Sequence, residues 1–365
     1  MLGIVSERRQ GAFQQHDERH KSLLGAIFPL GAAKGMTDAF IFAANAVLPI
    51  VLMIALGYVL KMIGLFSQGF LDTGNKLTFR VLIPAMLFCN IYGINSLGDI
   101  NFGFILYGIG AVVMIFFIAT FVTCLFTKDN GKRGALIQAA FRSNYAIIGL
   151  PLASALFGDR GAAAAGVMSA FCVPTFNILA VITLTFFNND SKKGTIDVKK
   201  ILSGIVKNPL IIGTVAGLLV LALRELFVQC DISFRLRDIE FLYKTLENLK
   251  SICTPFALLV LGGRFEFSAV KRQLRYIVFG TLIRTVAVPV IGLLVAYLFI
   301  PDLSGEHYAT YVAVFATPVA VASAIMAKEM KADDELAGQL VVWTSIVSTV
   351  TIFIYVVFFR SVGIF

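Results

Sequence analysis

Ten apolar segments follow one another along this chain, centred near Val51, Ala85, Val113, Ile147, Val173, Leu218, Leu258, Ala287, Thr317 and Val347. A membrane-crossing helix needs about 20 apolar residues at about 1.5 Å rise each, so ten such spans leave little chain for a soluble domain. Composition agrees: 58% of the 365 residues are hydrophobic, 15% are charged, and mean hydropathy is +0.84. The fold class this predicts is all-α integral membrane, with ten transmembrane helices. The fourth and ninth segments, 135–157 and 308–327, each contain a proline, Pro151 and Pro318. A helix interrupted in lipid strands backbone N–H and C=O groups, which is tolerated only beside protein or a water-filled cavity. Matched interruptions in two halves of a membrane chain are a mark of secondary transporters built from inverted repeats.

Lys and Arg set the expected orientation. Alternate connections, including those with Lys61, Arg133, Lys192, Arg264 and Lys328, hold seventeen of them, against six on the opposite set. The positive-inside rule then puts both ends of the helical bundle outside the cell membrane. The same bias accounts for the net charge of +9 and makes the lipid bilayer its partner, not nucleic acid.

Residues 1–36 do not fit the pattern, because Arg8, Arg9, Arg19, Lys21 and Lys34 would lie outside and the apolar stretch 23–33 is too short to span. They are expected to form a disordered tail, or to precede a start at Met36. The five cysteines, Cys89, Cys124, Cys172, Cys230 and Cys253, are scattered through apolar sequence and read as packing residues. His16, His20 and His307 form no ligand set, so neither a metal nor another cofactor is expected.

Prolines recur in order between the halves: Pro49 with Pro209, Pro84 with Pro255, and Pro151 with Pro318. Five spans per half, an odd number, make the second copy enter from the opposite side of the membrane. The expected organisation is a first five-helix repeat at 37–187, a basic cytoplasmic linker at 188–208, and a second repeat at 209–365. Helices four and nine would be proline-broken and would cross near the midplane.

These residues resemble a family. Ala46-Val47-Leu48-Pro49-Ile50, Leu56-Gly57-Tyr58, Leu82-Ile83-Pro84-Ala85, and Arg142-Ser143-Asn144-Tyr145 with Gly149-Leu150-Pro151 are similar to motifs of the auxin efflux carrier family. Asn208-Pro209, Pro255-Phe256-Ala257-Leu258 with Gly262, and Ala327-Lys328-Glu329 fit the same pattern, and the resemblance spans 37–365. It implies two inverted five-helix repeats divided into a scaffold and a transport domain. It also implies elevator-like secondary transport of small organic anions such as malate or malonate, without nucleotide hydrolysis, and a homodimer through the scaffold. Plant members carry a second proline where Ser323 stands, so this chain departs from them there.

The residues of the fourth span suit that expectation on their own chemistry. Pro151 lacks an N–H donor and clashes with the preceding turn, and Gly149 allows close backbone approach. Asn144, about two turns earlier, offers both donors and acceptors to a carboxylate, and the N-terminus of a restarting helix favours an anion. Asn144 reads equally as an interhelical hydrogen bond. Arg142 reads either as an anion contact or as a side chain that snorkels to the interface, and Arg284 is open to the same two readings. In the ninth span Thr317, Pro318 and Ser323 form the corresponding set, unless the hydroxyls bond back to their own helix.

Coupling is left open by the sequence, because carboxylates lie at span ends and in loops. A proton gradient, a sodium gradient and uniport all fit. A sodium-coupled carrier similar to the bile-acid symporters and a non-transporting membrane sensor are the alternatives. Enzymatic chemistry is not expected, since no histidine falls within a span and no carboxylates pair in mid-span.

Overall fold

Prolines and cap residues decide where these apolar segments bend and stop. A computed structural model describes residues 48–93, 101–187, 203, 206–300 and 303–365. The expected tail, 1–36, and nearly all of the expected linker, 188–208, lie outside the described residues. The first helix, α1, is Leu48–Met62. Ser67 starts α2 (Gln68–Leu77) by accepting from Phe70 N at 3.2 Å, and a π-helical turn, Thr78–Leu82, carries the rod into α3 (Ile83–Tyr92). Asn101 and Asp129 cap α4 (Phe102–Phe126) and α5 (Asn130–Phe141) in the same manner. These side chains satisfy N–H groups that have no partner within their helices.

A second π turn, Tyr145–Gly149, leads into α6 (Leu150–Phe186), which bends at Phe157 and Gly158, the latter at φ 57°. Asn208 caps α7 (Pro209–Gln229), and α8 follows at Glu240–Arg264. The rod of α9 (Phe267–Leu282) and α10 (Val288–Phe299) contains a third π turn, Ile283–Ala287. Two short helices, α11 (Gly305–Ala316) and α12 (Val321–Glu329), precede the long α13 (Asp334–Ser361).

The three π turns share a cause. Each ends two residues before a proline, Pro84, Pro151 or Pro289. Proline removes one helical hydrogen bond and its ring crowds the carbonyl four residues back. One wide turn relieves that clash without ending the rod. At Pro289 the carbonyl four residues back belongs to Thr285, and it accepts from the Tyr355 hydroxyl at 3.0 Å. Pro151 therefore does not interrupt the fourth segment, contrary to the sequence expectation.

Among the described residues, five helical stretches are long and apolar enough to cross a membrane: Phe102–Phe126, Tyr145–Phe186, Pro209–Gln229, Phe267–Phe299 and Asp334–Ser361. The other apolar segments fall short of that measure for local reasons. The α2–α3 rod carries Asp72, Lys76 and Arg80, α8 opens with polar turns, and α5, α11 and α12 are cut short by interruptions. Apolar side chains of α4 such as Phe102, Leu106 and Leu125 face outward, as lipid-facing residues do. This is a multi-pass membrane protein.

Two helix crossings are closed by glycine, and they follow one rule. A Cβ on Gly57 would lie 2.2 Å from the Leu259 carbonyl oxygen, and one on Gly217 would lie 3.1 Å from that of Phe88. Gly57 and Gly217 each stand eight residues after a proline, Pro49 and Pro209, while Leu259 and Phe88 each stand four after Pro255 and Pro84. Both crossings are thus the same contact in two copies, α1 on α8 and α7 on α3. Gly262 tightens the first and Gly213 the second. Small residues allow such backbone approach in lipid, where burial of apolar surface no longer drives helices together.

Gly262→Ala would put a methyl 2.0 Å from the Ile54 oxygen. It is expected to lower stability by about 1–3 kcal/mol. Gly110→Ala, where nothing lies within 4 Å, is expected to be neutral or stabilising by up to about 1 kcal/mol. Thermal unfolding of the purified variants in detergent checks both.

Candidate functional site

The fourth and ninth segments break where their backbones meet. Proline drives the residue before it toward extended angles, and Thr317, which precedes Pro318, has φ −69° and ψ 151°. Ala320 is also extended. In the fourth segment the break is Arg142 to Asn144, and it contains no proline. Its backbone is held open by pairing: Asn144 N donates to Pro318 O at 2.8 Å, and Ala320 N donates to Arg142 O at 3.2 Å. Ser143 and Val319 form an isolated antiparallel bridge, and Val319 N donates to the Thr344 hydroxyl of α13 at 3.0 Å.

In this antiparallel bridge Pro318 stands opposite Asn144, and Ala320 opposite Arg142. The break that faces Pro318 is therefore Arg142–Asn144 and not Pro151, where the sequence placed it. Pro151 lies in the first turn of α6, exposed and away from the meeting point.

Four helix ends converge here. The carboxyl ends of α5 and α11 leave carbonyls without helical partners, and one side chain takes them. Arg284, in the third π turn and 1% exposed, donates through Nε to Thr317 O at 2.7 Å, through Nη1 to Ala140 O at 3.0 Å, and through Nη2 to Val314 O at 3.0 Å. The amino ends of α12 and of the Tyr145–Gly149 turn face the other way, onto a cavity of about 60 Å³. Arg142, Ser143, Asn144, Asn177 and Ala320 to Ala322 lie on its wall, together with Met86, Cys253 and Thr254.

The polar groups of that wall are incompletely used. Ser143 Oγ and Asn144 Nδ2 are buried and, among the described residues, have no hydrogen-bond partner. Arg142 is 3% exposed, so it does not snorkel. Its Nη1 donates to Gln138 Oε1 at 3.1 Å and rests against the Met326 sulfur, while Nη2 donates to Asn177 Oδ1 at 2.7 Å. Among the described residues no carboxylate pairs with Arg142 or Arg284. A buried cation held by neutral acceptors alone is costly, and the helix amino ends add positive potential to the same space.

The remaining expected residues surround this core. Gly149 closes the second π turn against α11, where a Cβ would lie 3.2 Å from the Ala313 oxygen. The Thr317 hydroxyl bonds back to Ala313 O at 2.7 Å, while its carbonyl serves Arg284. Ser323 is buried and, among the described residues, its hydroxyl has no hydrogen-bond partner. Asn177 and the threefold grip of Arg284 were not expected. Asn177 was findable as a lone amide within an apolar span, but the Arg284 contacts join segments more than a hundred residues apart.

At one end of the molecule a polar cluster joins α2 and α8 to α12 and α13. Arg264 donates to Asp72 Oδ1 at 2.8 Å and to Asp334 Oδ2 at 2.5 Å. Asn75 donates to Glu329 Oε1 at 2.9 Å. A cavity of about 210 Å³ lies among these groups.

A membrane-embedded bundle whose interrupted helices meet beside a buried cation that has, among the described residues, no carboxylate partner has the construction of a transporter. Comparison with known sequences agrees. Residues 42–356 match the family described as membrane transport protein. An uncharacterized transporter of Methanocaldococcus jannaschii is 24% identical over 255 residues, 67% of this chain and 76% of the relative. One of Methanothermobacter thermautotrophicus is 26% identical over 133 residues, 33% of this chain and 41% of the relative. The chain belongs to the membrane transport protein family, the auxin efflux carrier family that its motifs resemble.

Asn177→Ala is expected to destabilise the protein by about 1.5–3 kcal/mol, the usual worth of a hydrogen bond to a charged group. Asn177→Asp keeps the acceptor and pairs the Arg142 charge, so it is expected to unfold at or above the wild-type temperature. Thermal unfolding of both purified variants measures the difference.

Proposed function

We propose that this transporter is a secondary carrier for small organic anions, received at the cavity beside Arg142 and Asn144. The observation that carries the reading is the wall itself: a buried guanidinium without a carboxylate, an unused amide and hydroxyl, and two helix amino ends. An anion's oxygens would accept from the Asn144 amide and the Ser143 hydroxyl, and its charge would offset that of Arg142. Neutral donors hold an anion without a permanent ion pair, which allows release.

The same reading gives the fold its larger plan. Ten segments form two five-helix repeats, 37–187 and 209–365, of opposite topology, and the doubled glycine contact and the antiparallel bridge support this. The helices α1 to α3, α7 and α8 form a scaffold, through which two copies would pair. The helices α4 to α6 and α9 to α13 carry the site past it in an elevator-like movement. At about 60 Å³ the cavity takes a carboxyl group, and the rest of an acid occupies space opened as Met86 and Cys253 withdraw. The Lys and Arg bias supports a cell membrane location with both ends of the bundle outside and the Arg264 cluster in the cytoplasm.

Uptake of radiolabelled malate, malonate and indole-acetate into liposomes bearing the purified protein tests the proposal. Saturable uptake of one acid is expected, and Asn144→Ala, with unchanged thermal unfolding, is expected to slow it about tenfold or more, the loss of one hydrogen bond to a charged ligand. Uptake that Asn144→Ala leaves unchanged would remove the site assigned here.

A further inference from the structure

We infer that Arg284 is a tethered cation occupying the position where a cation-coupled carrier of this construction would bind its ion, so that transport runs without sodium. The inference rests on the proposed anion carrier and goes beyond it to the driving ion. In carriers with interrupted helices, coupling cations are held by the carboxyl ends of half-helices and by unwound backbone carbonyls. Here those groups are Ala140 O at the end of α5, Val314 O near the end of α11, and Thr317 O in the unwound stretch. All three accept from one guanidinium at 2.7–3.0 Å.

The fit is chemical as well as geometric. Three carbonyls at two negative dipole ends form a cation site, and guanidinium offers a fixed planar array of donors that keeps its charge. Arg284 is fully enclosed, and its backbone lies in the wide turn before Pro289. A sodium ion would need the same oxygens, so the two cations exclude each other. One side chain also holds both half-helices at a fixed separation, which makes Arg284 a positioning residue for the anion site on the other side of the bridge.

The test combines ion dependence with chemical rescue. Malonate uptake by the wild type is expected to have the same initial rate with an inward sodium gradient as with choline, and sodium is expected to leave its unfolding temperature unchanged. Arg284→Ala empties the position, and its uptake is expected to fall about tenfold or more. Millimolar guanidinium, but not tetramethylammonium, is expected to restore most of that rate and to raise the unfolding temperature of the variant by a few degrees. Should Arg284→Ala not fold, Arg284→Gln carries the same measurements.

Sodium-driven uptake by the wild type, or a variant indifferent to guanidinium, would overturn the inference while leaving the anion carrier standing. Absence of anion uptake under any gradient, together with guanidinium stabilisation of the variant, would instead sink the carrier reading and keep the cation position.

Discussion

The short antiparallel contact between Arg142–Asn144 and Thr317–Ala320 is the interaction on which the rest of the structure depends. A bilayer offers no water to interrupted helices, so every stranded backbone group at this point needs a partner within the protein. Four are paired, in two hydrogen bonds, across the bridge. The carbonyls of α5 and α11 go to Arg284. The amino ends of α12 and of the Tyr145–Gly149 turn are left facing the cavity, which separates a satisfied negative side from an unsatisfied positive one. Polarity in this protein comes mainly from backbone orientation, and the two buried arginines adjust it in opposite senses. Arg284 neutralises one side, and Arg142 strengthens the other.

How much of this could be read from the sequence depends on the range of the forces involved. Asn208-Pro209 was legible as a motif, and its role is local, since Asn208 caps α7 and a cap acts within a few residues. Asn144 and Arg142 were legible as candidates because polar groups in apolar spans are expensive, and the structure puts both on one cavity wall. Pro151 misled because a missing hydrogen bond has two outcomes, a break or a wide turn, and the choice is made by neighbours. In the fourth segment the break falls instead at Arg142–Asn144, where no residue requires it locally, since the pairing partner is about 175 residues away. Arg284 shows the same limit, because its charge was visible and its three acceptors were not.

The Arg264 cluster bears on how the two groups of helices would separate in the proposed elevator-like movement. Its ion pairs to Asp72 and Asp334 are partly exposed, with side-chain exposures of 15% for the arginine and 42% and 30% for the carboxylates. Pairs of that kind contribute little net stability, roughly 0–1 kcal/mol. They tie α2 and α8 to α13, and in the proposed elevator-like movement they would open. The glycine crossings are of the opposite kind. Backbone in contact with backbone at Gly57 and Gly262 has no slack, so α1 and α8 move as one piece. On the proposed carrier reading the glycine crossings stay closed, while the polar pairs and the apolar contacts between the groups, such as Leu261 on Gly338, open.

The wide turns before Pro84, Pro151 and Pro289 have a consequence for descent. A π turn is an α-helix with one residue too many, and the surplus rotates everything beyond it by roughly 100° about the axis while barely changing the length. Proline marks the place where such a surplus is tolerated, since the hydrogen bond it would disturb is already missing. Single-residue insertions and deletions at these three points therefore act as dials, turning the far half of a rod to present different side chains without dismantling the membrane span. Related chains that differ by one residue there would show different faces to the same cavity, a route to new specificities that substitution alone does not offer.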